Sequence, residues 1–251
     1  MSHIVVLEWT FMPADYFEEP IQIVRDQYEM TIDNGKVEAR IKPEYYDPTP
    51  KKCVMKLHDA LSDRFLSAQF LTRRPYELIR GAMHRLHSDD SKDIVISVED
   101  RVIISESPDY TVGDKNGNVT SDSRKERIDK KKKWNDLVEK HISNPVVKAT
   151  LTSYDAAVRD PDNELVHLYE IRDALAKEFK GENAACQALQ VSKARWKRLG
   201  ILANTEPLRQ GRHRGQHSGA LRDATEDELR KAHRITRDLI QSYLEYLDSS
   251  S

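Results

Sequence analysis

The chain has 251 residues, room for one or two domains with a real core, and 38% of them are hydrophobic against 33% charged. That balance excludes a disordered chain, and no run approaches the roughly 18 uncharged apolar residues that a membrane-spanning helix needs. The formal net charge of −2, taken alone, argues against nucleic acid as a partner.

The first half reads as strands and turns. Its start, Met-Ser-His-Ile-Val-Val-Leu-Glu-Trp, has neither a basic stretch nor a cleavable apolar one, so a cytoplasmic location is expected, with no membrane. Ile4 to Phe11 is a β-branched and aromatic run ended by Pro13. Ile21 to Ile32 and Val37 to Ile41 flank Asp33-Asn-Gly-Lys36, a strong hairpin signal, because a type I′ turn needs positive φ at both central residues. Tyr76 to Leu86 has helical spacing, with Leu78, Ile79, Ala82, Met83 and Leu86 on one side; His84 and His87 then read as surface histidines. Asp93 to Val98 and Arg101 to Ser105 suggest a second hairpin turning at Glu99-Asp100, and the polar stretch Ser107 to Asp122 a loop between domains. Residues 1–122 are therefore expected to form a mixed β-rich domain.

The second half changes to helices. Arg124 to Lys133 (RKERIDKKKK) reads as linker and helix start. Asp160-Pro161 offers an N-cap and first-turn proline for a helix with Leu165, Leu168, Tyr169, Ile171, Leu175 and Phe179 on its apolar face and Gly181 at its end. Thr225-Glu-Asp-Glu228 fits a capping box opening a helix on which Leu229, Ala232, Ile235, Leu239, Ile240, Tyr243 and Leu247 recur. The expected fold class is α+β: the β-rich domain, then an all-α helical bundle over residues 123–251.

Splitting the charge changes its meaning. Residues 1–125 hold 17 Lys/Arg and 22 Asp/Glu, a net of −5, and residues 126–251 hold 23 and 20, a net of +3. Between Val191 and Arg222 there are eight basic residues (Lys193, Arg195, Lys197, Arg198, Arg209, Arg212, Arg214, Arg222) and one acid, Glu206. Such a window attracts phosphate whatever the total charge, unless neighbouring elements supply acids to it. Within it, Leu208 to Gly219 carries three of the nine glycines, three arginines and two histidines, and almost nothing apolar. That composition suits a loop or helix entrance presenting polar side chains, not a helix interior. Histidine moves protons near neutrality and a guanidinium holds phosphate oxygens and the charge that develops on them, so the pair can act on RNA without metal.

Arg212-His213-Arg214-Gly215-Gln216-His217 resembles the signature of HEPN domains: Arg, a polar residue, three residues, then His. The helices before it and the amphipathic helix after it resemble that family's bundle too, over roughly residues 140–248. The resemblance implies a metal-independent endoribonuclease, without cofactor, in which two motifs face each other across a homodimer. His217 would be general base or acid, Arg212 would bind the scissile phosphate, and His213 would orient the site. Arg214, Arg209, Lys193, Lys197 and Arg198 would bind RNA. Such proteins resemble toxins or phage-defence effectors, which makes the acidic first half a candidate surface for an inhibitory or triggering partner.

Other readings compete. Some HEPN domains are non-catalytic RNA-binding or assembly modules. His213 and His217 could be zinc ligands, but no HExxH pattern or cysteine cluster completes a shell, since Cys53 and Cys186 stand far apart. Residues 182–199 read like a helix-turn-helix, with Ser192 capping a basic second helix suited to a DNA major groove. Against that, Gln190 stands where a glycine is usual, and Trp196 suits the core better than an exposed face.

Overall fold

The structure, a computed structural model, describes residues 3–87, 92–95, 111–113, 119–212 and 221–250. Strands dominate the first half and helices the second, the α+β arrangement expected. The chain divides into two units: Met1–Phe65 with Tyr76–Lys131, and Leu66–Pro75 with Lys132–Ser251.

The first unit is built on β1 (His3–Met12), β2 (Ile21–Val24), β3 (Tyr28–Asp33) and β4 (Lys36–Ile41), followed by α1 (Pro43–Tyr46), α2 (Pro50–Thr72), β5 (Glu77–His87) and β6 (Lys92–Val95). These six strands form one antiparallel sheet in the order β2-β3-β4-β1-β5-β6. The Asn-Gly hairpin forms as its residues predict: Asp33 pairs with Lys36, with φ of 41° at Asn34 and 78° at Gly35. Alternation along β1 buries Val5, Leu7, Trp9 and Phe11. Phe11 meets Phe65 of α2 edge-on at 5.1 Å, and Tyr16 stacks on Phe65 at 5.3 Å, giving the unit an aromatic core.

Four expectations change here. Tyr76–Leu86 is not a helix: from Glu77 on it is strand β5, between β1 and β6. The edge of β1 requires a hydrogen-bonding partner, and that tertiary demand overrides an ambiguous spacing. Gly81 marks the irregular register opposite Glu8, where a Cβ would lie 3.1 Å from the Glu8 carbonyl oxygen. His84 is accordingly no surface histidine; its side chain is 16% exposed, with Nε2 3.1 Å from Glu8. The stretch 107–122 holds a two-stranded ribbon, β7 (Thr111–Gly113) and β8 (Val119–Asp122), rather than loop alone. The basic run 124–133 is helical throughout, within α3 (Ser123–His141). Arg127 grips the Glu18 carboxylate at 2.7 and 3.0 Å with Lys131 beside it, which holds Glu18 below the usual carboxylate range. Of the hairpin expected over 93–105, Asp93–Val95 falls in β6 and residues 96–105 lie outside the described residues.

The second unit is helical. The end of α2 and most of α3 join α4 (Pro145–Arg159), a 3-10 turn (Pro161–Asn163), α5 (Glu164–Glu178), α6 (Glu182–Ala188), α7 (Lys193–Gly200), a π-helical turn (Ile201–Thr205) and α8 (Glu226–Ser249). Asn144 caps α4, accepting from Val146 and Val147 N–H at 2.8 and 3.2 Å. Asp160-Pro161 opens the 3-10 turn, so α5 proper begins three residues later than its cap suggests. The capping box of α8 is complete: Glu228 N–H donates to the Thr225 hydroxyl and Thr225 N–H to the Glu228 carboxylate. The core joins Leu151 and Tyr154 of α4, Leu165, Leu168, Ile171 and Leu175 of α5, and Ala232, Ile235, Leu239, Ile240 and Tyr243 of α8. One polar cluster sits inside it. His233, 2% exposed, bonds Glu164 through Nε2 and has Nδ1 3.2 Å from the Tyr154 hydroxyl, while Arg73 lies 3.7 Å from Glu164. It ties α8 to α4 and α5.

Candidate functional site

The glycine- and arginine-rich segment leaves the π-helical turn and returns to α8 through a closed neck. Arg209 N–H donates to the Arg222 carbonyl and Arg222 N–H to the Pro207 carbonyl, both at 3.0 Å. The Gln210 amide completes the seam, accepting from Ala224 N–H at 3.0 Å and donating to Asp223 at 3.4 Å. Gly211 is there because nothing larger fits: a Cβ would lie 2.9 Å from the Ala203 carbonyl oxygen and 3.2 Å from that of Leu208. This close approach lets Arg212 N–H reach the Ala203 oxygen at 2.7 Å. The backbone of Arg212 is thus fixed by the π-helical turn.

Its side chain turns onto α5. The Arg212 guanidinium carbon lies 4.5 Å from the centroid of the Tyr169 ring, and one nitrogen lies 3.1 Å from the Asp173 carboxylate. Tyr169 is buried, whereas the Arg212 side chain is 36% exposed. A second guanidinium shares the ring. Arg172 has its guanidinium carbon 4.9 Å from the Tyr169 centroid and 5.3 Å from that of Trp196, donates to the Tyr169 hydroxyl, and reaches Glu182 at 2.8 Å. Gly200 of α7 passes beside it, its Cβ position 3.7 Å from the Arg172 guanidinium carbon. Tyr169, Arg172 and Asp173 belong to this site although the sequence reading gives Tyr169 only a core role and omits the other two. The available signal was a Tyr-x-x-Arg-Asp run placing charge within the packed part of α5.

His213, Arg214 and His217 lie outside the described residues. The remaining basic candidates divide. Arg195 pairs with Asp238, Arg198 with Glu206 at 3.5 Å, Arg209 with Asp223 at 3.8 Å, and Arg222 with Glu228 at 2.7 Å. Counting Arg212 with Asp173, five of the seven described cations in the window pair with an acid, four of those acids lying outside it. Lys193 and Lys197 are exposed, with no ion pair among the described residues. They and the open side of Arg212 are where a polyanion meets least competition.

The helix-turn-helix reading acquires a geometry as well. Ser192 caps α7, its hydroxyl accepting from Arg195 N–H at 3.4 Å, and Gln190 takes φ of 53°, the conformation a glycine would adopt more cheaply. Trp196 is fully buried, as its bulk suggests, so Lys193, Arg195 and Lys197 stand on the outer side of α7.

Among the described residues no group of three or more His, Cys, Asp or Glu side chains is placed to hold a metal ion, and no helix is long and apolar enough to cross a membrane. Compared with protein-family models, with curated proteins and with solved structures, the chain matches none.

Proposed function

We propose that this chain is a metal-independent endoribonuclease of HEPN type, acting in the cytoplasm as a homodimer and serving as a regulated toxin or phage-defence effector. The observation that carries the reading is the setting of Arg212: backbone pinned to Ala203, guanidinium seated on Tyr169, and side chain partly exposed beside the neck that leads to α8. A guanidinium held this way is preorganised for the charge that develops on a phosphodiester, and it loses little side-chain freedom on binding. His217 takes the proton of the ribose 2′-hydroxyl as that oxygen bonds to phosphorus; the bond from phosphorus to the 5′-oxygen breaks, and that oxygen receives a proton from the protonated His217 or from water, giving a 2′,3′-cyclic phosphate and a 5′-hydroxyl. His213 orients the reacting groups. Lys193, Lys197, Arg198, Arg209 and Arg214 guide the strand, with Arg198 and Arg209 weakened for this by Glu206 and Asp223. The first unit, within an acidic half of the chain, is the surface offered to an inhibitor or trigger.

The test is cleavage of total RNA and tRNA by the purified full chain, beside Arg212→Ala, His217→Ala and the double variant. Cleavage by the wild type alone supports the reading. RNA binding without cleavage converts it to a non-catalytic RNA-binding or assembly module. A second reading, duplex DNA binding through α6 and α7, is favoured by the Ser192 cap and the outward cations of α7. It predicts DNA binding that survives His217→Ala and fails when Lys193 and Lys197 are both replaced by glutamate.

A further inference from the structure

Around the Tyr169 ring two guanidiniums and two carboxylates balance: Arg172 and Arg212 against Asp173 and Glu182. The two acids are held differently. Glu182 bonds Arg172 at 2.8 Å, and that arginine, only 13% exposed, is wedged among Tyr169, Trp196 and Gly200. This half is part of the packing. Asp173 is 50% exposed and lies between the two guanidiniums, 3.1 Å from Arg212 but 3.9 Å from Arg172. An exposed ion pair of this kind contributes little and is easily traded for another anion. The seat of Arg212 is therefore permanent, through the Tyr169 ring and the Ala203 carbonyl, while its counter-charge is replaceable.

We propose that Asp173 is a resident stand-in for substrate: its carboxylate occupies the place on Arg212 that an RNA phosphate takes, and it is displaced when RNA binds. Tyr169 is the positioning residue that holds the guanidinium during the exchange. This rests on the reading of Arg212 as a phosphate-binding residue and adds how that residue's charge is balanced and placed when no RNA is bound. The exchange follows from charge. With Asp173 neutralised, two guanidiniums face one carboxylate, and an incoming phosphate no longer competes with an internal anion.

The experiment is fluorescence anisotropy of a labelled single-stranded RNA on the full chain carrying Asp173→Asn, Asp173→Ser, Arg212→Ala or no change, across a salt series, with thermal melts as a folding check. Both Asp173 variants are expected to melt like the wild type and bind RNA about two- to fivefold more tightly at low salt, the range of an exposed ion pair. They should also steepen the dependence of log Kd on log salt by about 0.7, since the phosphate on Arg212 then sheds its cation without a displaced Asp173 carboxylate taking one up. A merely structural aspartate does not move that slope. If Asp173→Asn and Asp173→Ser bind no better than wild type while Arg212→Ala binds worse, the exchange is overturned and the RNA reading stands. If Arg212→Ala binds as well as wild type, the RNA reading itself fails, and the exchange with it.

Discussion

Replacing Gly211 by alanine separates the placement of Arg212 from its chemistry. Two effects of opposite sign meet there. A Gly→Ala change usually stabilises by about 0.4–1 kcal/mol, because it reduces the freedom of the unfolded chain. Here the added Cβ would sit 2.9 Å from the Ala203 carbonyl oxygen and 3.2 Å from that of Leu208, and both obstacles are backbone. Ordinary contact begins near 3.4 Å, so the π-helical turn must retreat by about half an ångström, and overpacking of this kind costs roughly 1–3 kcal/mol. The net expectation is a loss of about 1–2 kcal/mol, or roughly 2–8 °C in Tm. Because the Ala203 oxygen also accepts the Arg212 N–H at 2.7 Å, RNA binding should weaken even below the melting transition. Gly200→Ala is the control: its Cβ would meet only the Arg172 side chain, at 3.7 Å and more, inside a helix, so it should be neutral or stabilising. Calorimetry on both variants decides the matter. A Gly211→Ala protein that melts at or above the wild type refutes the close-approach argument.

Other expectations follow from the helical unit. Thr225→Ala removes one half of a complete capping box and should cost about 1 kcal/mol, read as a lower denaturation midpoint with unchanged slope. Arg222 holds the Glu228 carboxyl down to about 2 from an ordinary 4.5, so its contribution is full above the unfolded value and fades as pH falls from about 4.5 toward 2. Glu228→Gln should flatten that acid limb of the stability curve. Burial, helped by the charges of Arg73 and Arg237, lowers the His233 pKa against the opposing pull of Glu164, so the unfolded chain takes up its proton first and stability declines as pH drops below about 6.5. His233→Gln should remove that slope; a curve unchanged by the substitution would contradict the assignment.

Where local chemistry dictated structure, the sequence was readable. Asn34-Gly35 demands its turn, Thr225 and Glu228 their reciprocal cap, and the apolar spacing of α5 and α8 their buried faces. Trp196 was legible as core from bulk alone. What escaped depended on partners distant in sequence. Strand β5 is a strand because β1 needs a partner on that edge, a demand invisible within Tyr76–Leu86. Helix α2, with Phe65 in one core and Phe70 in another, went unread, as did α4 with its Asn144 cap. The site divides in the same way. Gly211 and Arg212 announce themselves by composition, but the acids that neutralise the basic window come from Asp173, Asp223, Glu228 and Asp238. Counting charge along the chain overstated the patch, since space supplied counter-charges that sequence proximity did not reveal.

Metal-free RNA cleavage at Arg212 and His217 is checked by end-group chemistry in excess EDTA. Fragments ending in 2′,3′-cyclic phosphate and 5′-hydroxyl are expected from the wild-type protein, and intact RNA from the Arg212→Ala/His217→Ala variant. Cleavage that needs an added divalent metal, or that the double variant performs equally well, would contradict it.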